Sequence, residues 1–282
     1  MRINGWKYYN HAAIPSTAPH EVPDLSPLTD GSIWNIEGRK PLLVRYTTDW
    51  DSKNHTNWWY VIKDSPFDIS LLKTKRRYEI TKAKRFFDVR EIDPIEYVES
   101  LMEVHEKALM AYPAKYRPMF DKDLFKLDLM KWHEQVEKKT LKIYGAFFKE
   151  TGKLCGYSCL ILEKKYCDFA IQKTIPAFEK YNVNAALVNG ILESFKDMFV
   201  GGYYICDGSR SIYHETHFQD YLEKYFGFRK AYCKLKIIYF PFLKKIVSFL
   251  YAFRSLIYKF GQYNGLFHQL SAILKMEEIS RK

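Results

Sequence analysis

Cysteine is sparse here, five residues in 282, an odd number scattered through apparent strands, which argues against a disulfide framework. Cys155 and Cys159 fall on one strand face, but no His or Cys cluster completes a ligand set, so no metal is expected. His214-Glu-Thr-His217 has the wrong spacing for His-Glu-x-x-His zinc chemistry. No signal peptide opens at Met1-Arg-Ile-Asn-Gly5, so a cytoplasmic setting with reduced thiols is the expectation. Repeats and low-complexity tracts are missing too. What the chain has in quantity is apolar and aromatic surface, 47% and 17% of residues, enough for a substantial core.

The net charge of +11 is unevenly placed. Lys and Arg minus Asp and Glu give −1 for residues 1–72, +6 for 73–85, −3 for 86–228 and +9 for 229–282. The excess lies in one helix and the C-terminal tail. Such a distribution suits nucleic acid, an anionic membrane or an anionic cofactor.

Residues 1–31, with Pro15, Pro19, Pro23 and Pro27, read as extended chain over the surface. Trp34–Ile36, Leu42–Tyr46 and Trp58–Ile62 read as strands. A helix from about Ser70 to Phe87 carries Lys73, Lys75, Arg76, Arg77, Lys82, Lys84 and Arg85 around a narrow apolar side of Leu72, Ile80, Ala83 and Phe87. That face is either solvated or in contact with an anion. Asp88–Ile92 reads as a strand, and Asp93-Pro-Ile-Glu96 is a helix start with Asp as N-cap and Pro in the first turn. A second helix spans about Asp121 to Lys138.

Leu141–Lys149, Leu154–Leu162 and Tyr166–Thr174 alternate as three antiparallel strands, the first two joined by the Glu150-Thr-Gly-Lys153 turn. A helix over about Asn184–Phe199 follows, then a short strand at Tyr203–Cys206, a helix around Thr216–Tyr225 and a last strand over Arg229–Phe240. This order resembles the core of the GNAT acyltransferase superfamily, in the branch that holds the Fem-type aminoacyltransferases of cell-wall synthesis. The resemblance is carried by Gly145-Ala146 and Gly156-Tyr157, by Asp207-Gly208, by Lys224-Tyr-Phe-Gly-Phe228 and, upstream, by Lys75-Arg-Arg77, Lys82-Ala83 and Val89–Asp93. It implies an α/β (α+β) fold, with a mixed, mostly antiparallel sheet flanked by helices. The expected division is an N-terminal β-containing extension (1–85), a GNAT-like core (86–240) and an amphipathic helical tail (241–282).

The resemblance also implies a site. The fourth and fifth strands of such a core part to admit acyl-CoA, whose pyrophosphate rests on the next helix N-terminus. Here that place is Lys180–Ala186, preceded by Thr174 and by Ile175, near which backbone N–H groups polarise the thioester carbonyl. The family signature has two glycines there; this chain has Asn182, Val183, Asn184, Ala185 and Ala186 instead, with Asn182 able to take the left-handed conformation. His214 is the preferred base, Asp207 a second candidate, and Tyr221 or Tyr225 the acid. Glu223 stands where the family places its acid tyrosine. A bonded loop histidine, a capping carboxylate and core tyrosines are the competing readings.

The resulting expectation is a GNAT-type N- or O-acyltransferase, moving an acyl group from acyl-CoA (acetyl-CoA foremost) to a small or a lipid- or sugar-linked acceptor, as in cell envelope biosynthesis. A Fem-like aminoacyltransferase using aminoacyl-tRNA, and a non-catalytic membrane-apposed protein, remain open. In the tail, Phe242, Ile246, Phe249, Leu250, Phe253, Ile257 and Phe260 recur at helical spacing, too interrupted by charge to span a bilayer. Such a helix packs on its own domain or a second subunit, or lies on an anionic membrane as a peripheral anchor.

Overall fold

A computed structural model describes residues 5–114, 117–212, 217–261 and 265–282. In chain order the elements are β1 (Trp6–Tyr9), β2 (Ala12–Pro15), α1 (Ser26–Thr29), β3 (Leu43–Thr48), β4 (Trp58–Lys63), α2 (Thr74–Phe86), β5 (Phe87–Glu91), α3 (Val98–Met110), α4 (Lys122–Glu137) and β6 (Leu141–Phe148). There follow β7 (Lys153–Leu162), β8 (Tyr166–Thr174), α5 (Val183–Ser194), α6 (Lys196–Val200), β9 (Tyr204–Ser209), α7 (Phe218–Phe226), β10 (Arg229–Tyr239), α8 (Pro241–Ala252), α9 (Arg254–Phe260) and α10 (Gly265–Ser280). Two compact units emerge, each discontinuous in sequence: Met1–Val61 with Ser209–Thr216 and Lys230–Lys282, and Ile62–Gly208 with His217–Arg229.

The second unit is a sheet in the order β9-β8-β7-β6-β5, antiparallel except for the parallel pair β8–β9. Both faces of its centre are covered, so β6 and β7 are buried almost residue by residue rather than alternating. On one side α3 and α4 bring Leu101, Met102, Val104, Phe125 and Leu129 against Leu141, Ile143, Phe147, Leu154 and Tyr157. On the other, α5 lies so close that a Cβ on Gly190 would meet Val89 Cγ1 of β5 at 2.5 Å. The β6–β7 turn needs Gly152, whose φ of +69° few other residues adopt, and the Gly152 N–H donates to the Phe148 carbonyl at 2.8 Å. Asp121 caps α4 with one carboxylate oxygen, which accepts from the Asp123 and Leu124 N–H groups at 3.0 Å.

The first unit holds a sheet in which β1 and β2 form a hairpin, β2 runs parallel to β3, and β3 pairs antiparallel with β10. Trp6, Ala13, Ile33, Ile36 and Val44 form its N-terminal core. Met276 and Ile279 of α10 pack against Trp58, Cys233 and Leu235.

Several local expectations change. Residues 6–15 are a hairpin rather than surface coil, because Asn10 and His11 both sit at positive φ and make a tight turn without glycine. Trp34–Ile36 is not a strand: Ser32–Trp34 is a 3-10 turn, and Ile36 makes only an isolated bridge to Arg39. The basic helix begins at Thr74, since Asp68 caps a separate 3-10 turn over Ile69–Leu71. The helix expected over 184–199 breaks at Phe195 into α5 and α6.

Candidate functional site

The parallel ladder between β8 and β9 is short. It runs Tyr166↔Tyr204, Cys167↔Ile205, Asp168↔Cys206, and among the described residues no further pairing follows, although β8 continues to Thr174. The other edge of β8 is irregular at the same place. Against β7, Cys159 faces Ile171 and Leu160 faces Phe169, so Ala170 is one residue too many. Such a bulge bends and twists its strand, and this one comes two residues after the last β8–β9 pair.

A helix start stands beyond the end of β8. Pro176–Tyr181 forms a 3-10 turn that ends on Asn182 at φ 63° and ψ 44°, the left-handed conformation expected of it, and α5 begins at Val183 with no side-chain cap. Val183, Ala185 and Ala186 are buried. Asn184 turns inward: its carbonyl oxygen accepts from Gln172 Nε2 at 2.8 Å and from Thr174 Oγ1 at 3.5 Å, while Ser158 Oγ donates to Gln172 Oε1 at 3.0 Å. Thr174 and Asn184 are thereby brought together, and Gln172 and Ser158 join them without having been singled out in the sequence. Their signal was a polar pair on two otherwise apolar strands. The Ile175 N–H donates to the Cys155 carbonyl at 2.8 Å, and the Ile175 side chain is part of the core.

The basic helix reaches this helix start. Lys82 Nζ of α2 donates to the Lys180 carbonyl at 3.1 Å, and Asn182 Nδ2 donates to the Glu79 carbonyl at 3.4 Å. An uncapped N-terminus with Lys82 and Lys180 nearby favours an anion.

Asp207 lies on β9, just past its last pair with β8. Its backbone carbonyl accepts from Gln219 Nε2 of α7 at 3.2 Å. Burial pushes its carboxyl up to about 7, against a hydrogen bond from Gln219 that favours ionisation and with a further upward push from the Asp168 charge. Tyr221 and Tyr225 stack edge to face on α7, ring centroids 5.2 Å apart. Burial raises the Tyr221 hydroxyl, which stays protonated, and the Arg76 guanidinium lies 3.9 Å over the Tyr225 ring while pairing with Glu79 at 2.5 Å. The α7 tyrosines therefore adjoin α2. His214 and Tyr213 lie outside the described residues.

A second polar pair sits across the sheet. His105 Nδ1 of α3 is 2.6 Å from the Tyr157 hydroxyl, with the imidazole stacked on Phe120. Burial, helped by the Lys173 charge, holds this imidazole down at about 4, so it is neutral near pH 7. His105 was not singled out in the sequence. On the same side, Asp93 accepts from His133 Nδ1 at 2.9 Å, with Glu137 close by.

No family model matches the sequence, and no curated protein matches it. Solved structures do. The crystal structure of FemX is 10% identical over 80% of this chain and 81% of its own, with a TM-score of 0.51. A domain of a putative lysylphosphatidylglycerol synthetase from Agrobacterium fabrum is 11% identical over 72% of this chain and 65% of its own, at a TM-score of 0.43. An N-acetyltransferase from Thermoplasma acidophilum, in complex with coenzyme A, is 18% identical over 41% of this chain and 74% of its own, at 0.32. The fold is GNAT-like. The fold is similar to that of FemX over most of the chain.

Proposed function

We propose that the chain is a GNAT-type acyltransferase that moves an acyl group from acyl-CoA, with acetyl-CoA the simplest donor, to an amine or hydroxyl. The observation that carries this reading is the parting of β8 from β9 after three paired residues, beside an uncapped helix start flanked by Lys82 and Lys180. The open strand edges accept an extended amide-containing arm, and the helix start with its two lysines accepts the pyrophosphate. In direct attack the acceptor nitrogen or oxygen bonds to the thioester carbonyl carbon and the carbon–sulfur bond breaks. The acceptor's proton passes to a base, and the departing thiolate takes one from an acid. Asp207, with a carboxyl near neutral pKa, and His214 are the base candidates; Tyr221 and Tyr225 are the acid candidates.

A second reading, transfer from aminoacyl-tRNA, is favoured by the similarity to FemX and by the missing glycines at Asn182–Ala186. Calorimetry with acetyl-CoA separates the two. The first reading expects saturable binding to the full chain, and Asp207→Asn or His214→Ala lowering turnover by about 10²-fold or more with donor affinity kept. No acetyl-CoA binding, together with RNase-sensitive transfer from charged tRNA, supports the second. A chain that binds neither donor is not a transferase of this kind.

A further inference from the structure

Helices α8 and α9 have two apolar faces where the sequence pattern suggested one. The first closes inward: Val247, Leu250, Ile257 and Tyr258 pack with Leu270 and Leu274 of α10. The second is left open. Phe242, Ile246, Phe249, Phe253, Leu256 and Phe260 recur at steps of three and four, and they are 68, 38, 66, 51, 56 and 49% exposed. Single exposed apolar residues are ordinary, but a continuous row along two consecutive helices marks a binding surface.

The charge beside the row says what covers it. Lys244, Lys245 and Lys259 are exposed along the same two helices. Not one Asp or Glu occurs from Lys224 to Met276. A second copy docking through this face would bring cations against cations with no carboxylate to offset them, whereas phosphate headgroups offer the missing sign and acyl chains take the phenyl rings. Among the described residues no helix is long and apolar enough to cross a membrane, and helices of this length meet a bilayer only along its surface.

We propose that α8 and α9 dock the protein onto an anionic lipid bilayer through the Phe242–Phe260 row, with Lys244, Lys245 and Lys259 at the level of the phosphates. The test uses the full chain and sedimentation with vesicles of phosphatidylcholine, with and without phosphatidylglycerol. Binding is expected only where phosphatidylglycerol is present. It should weaken about 10-fold or more in Phe249→Ser/Phe253→Ser, and should weaken also in Lys244→Glu/Lys245→Glu and at high salt. The replaced side chains are exposed, so the melting transition should stay in place. As a second measurement that does not need the serine variant to fold, Phe249→Cys carrying a polarity-sensitive dye should shift its emission to the blue on adding the mixed vesicles. The five native thiols are buried and escape labelling. Absence of vesicle binding, binding indifferent to the phenylalanine changes, or a dimer in solution that the serine pair dissociates would each overturn the proposal.

Discussion

Replacing Asp207 with Asn should change how stability depends on pH, in a direction fixed by where that carboxyl sits. In the folded chain burial holds its pKa at about 7, while in the unfolded chain it returns to about 3.8. Between those values the native state keeps a proton that the unfolded state has released, so folding stability falls as pH rises from about 4 to about 7. Asparagine carries no such proton. The interval is about three pH units at about 1.36 kcal/mol each, giving a ceiling of about 4 kcal/mol. Solvent still reaches part of the group, which screens the effect to about 1–3 kcal/mol. Urea unfolding of wild type and Asp207→Asn at half-unit steps of pH reads this directly. The variant should gain on the wild type from pH 4 to about pH 7 and then hold level to pH 8, whatever constant offset the amide itself introduces. Curves that stay parallel across that range, within about 0.5 kcal/mol, would refute the burial argument and with it the case for Asp207 as a base near neutral pH.

Gly190→Ala should destabilise by about 1–3 kcal/mol, since its Cβ falls 2.5 Å from Val89 Cγ1, and Val89→Ala in the same chain should recover part of the loss in a double-mutant cycle. Asn184→Leu should cost about 1–3 kcal/mol in thermal unfolding, because it strips the acceptor from Gln172 Nε2; Gln172→Leu in that background should restore some of it. All five cysteines are buried, and burial lifts the Cys155 thiol to about 11 and the Cys233 thiol to about 12. Thiol reagents at pH 8 should therefore react only on unfolding, and fast labelling of the native chain would contradict the packing of β7 and β10.

The legible parts of the fold were those with strong local chemistry. The three long strands from Leu141 to Thr174 show as apolar and aromatic runs broken by the Gly152 turn, although β6 and β7 are buried on both faces and do not alternate, and Asp121 announces its helix by its capping oxygen. The N-terminal hairpin stayed hidden because its turn is built on Asn10 and His11, residues that tolerate positive φ without advertising it. In the candidate site, Asn182 was readable as a substitute for glycine, yet nothing local reveals that Asn184 turns inward to Gln172. That contact joins residues 12 positions apart through a strand and a turn. The tail shows the same limit. Helical spacing found the apolar positions, but which of them face α10 depends on a partner helix some twenty residues away.

The surplus residue at Ala170 acts as a change of phase along β8. Before it, Asp168 and Phe169 are matched to β7 in one frame; after it, Ile171, Gln172 and Thr174 are matched in another. A chain shortened by that single alanine would set Ile171 directly after Phe169 and run against β7 in one unbroken frame, every later residue keeping its partner. Gln172 would still face Ser158, but the bend and added twist that the bulge gives the strand just past its last pair with β9 would be gone. One small, solvent-facing residue thus bears on the opening through the path of the strand and not through its own side chain, so substitutions at position 170 should be far better tolerated than its loss.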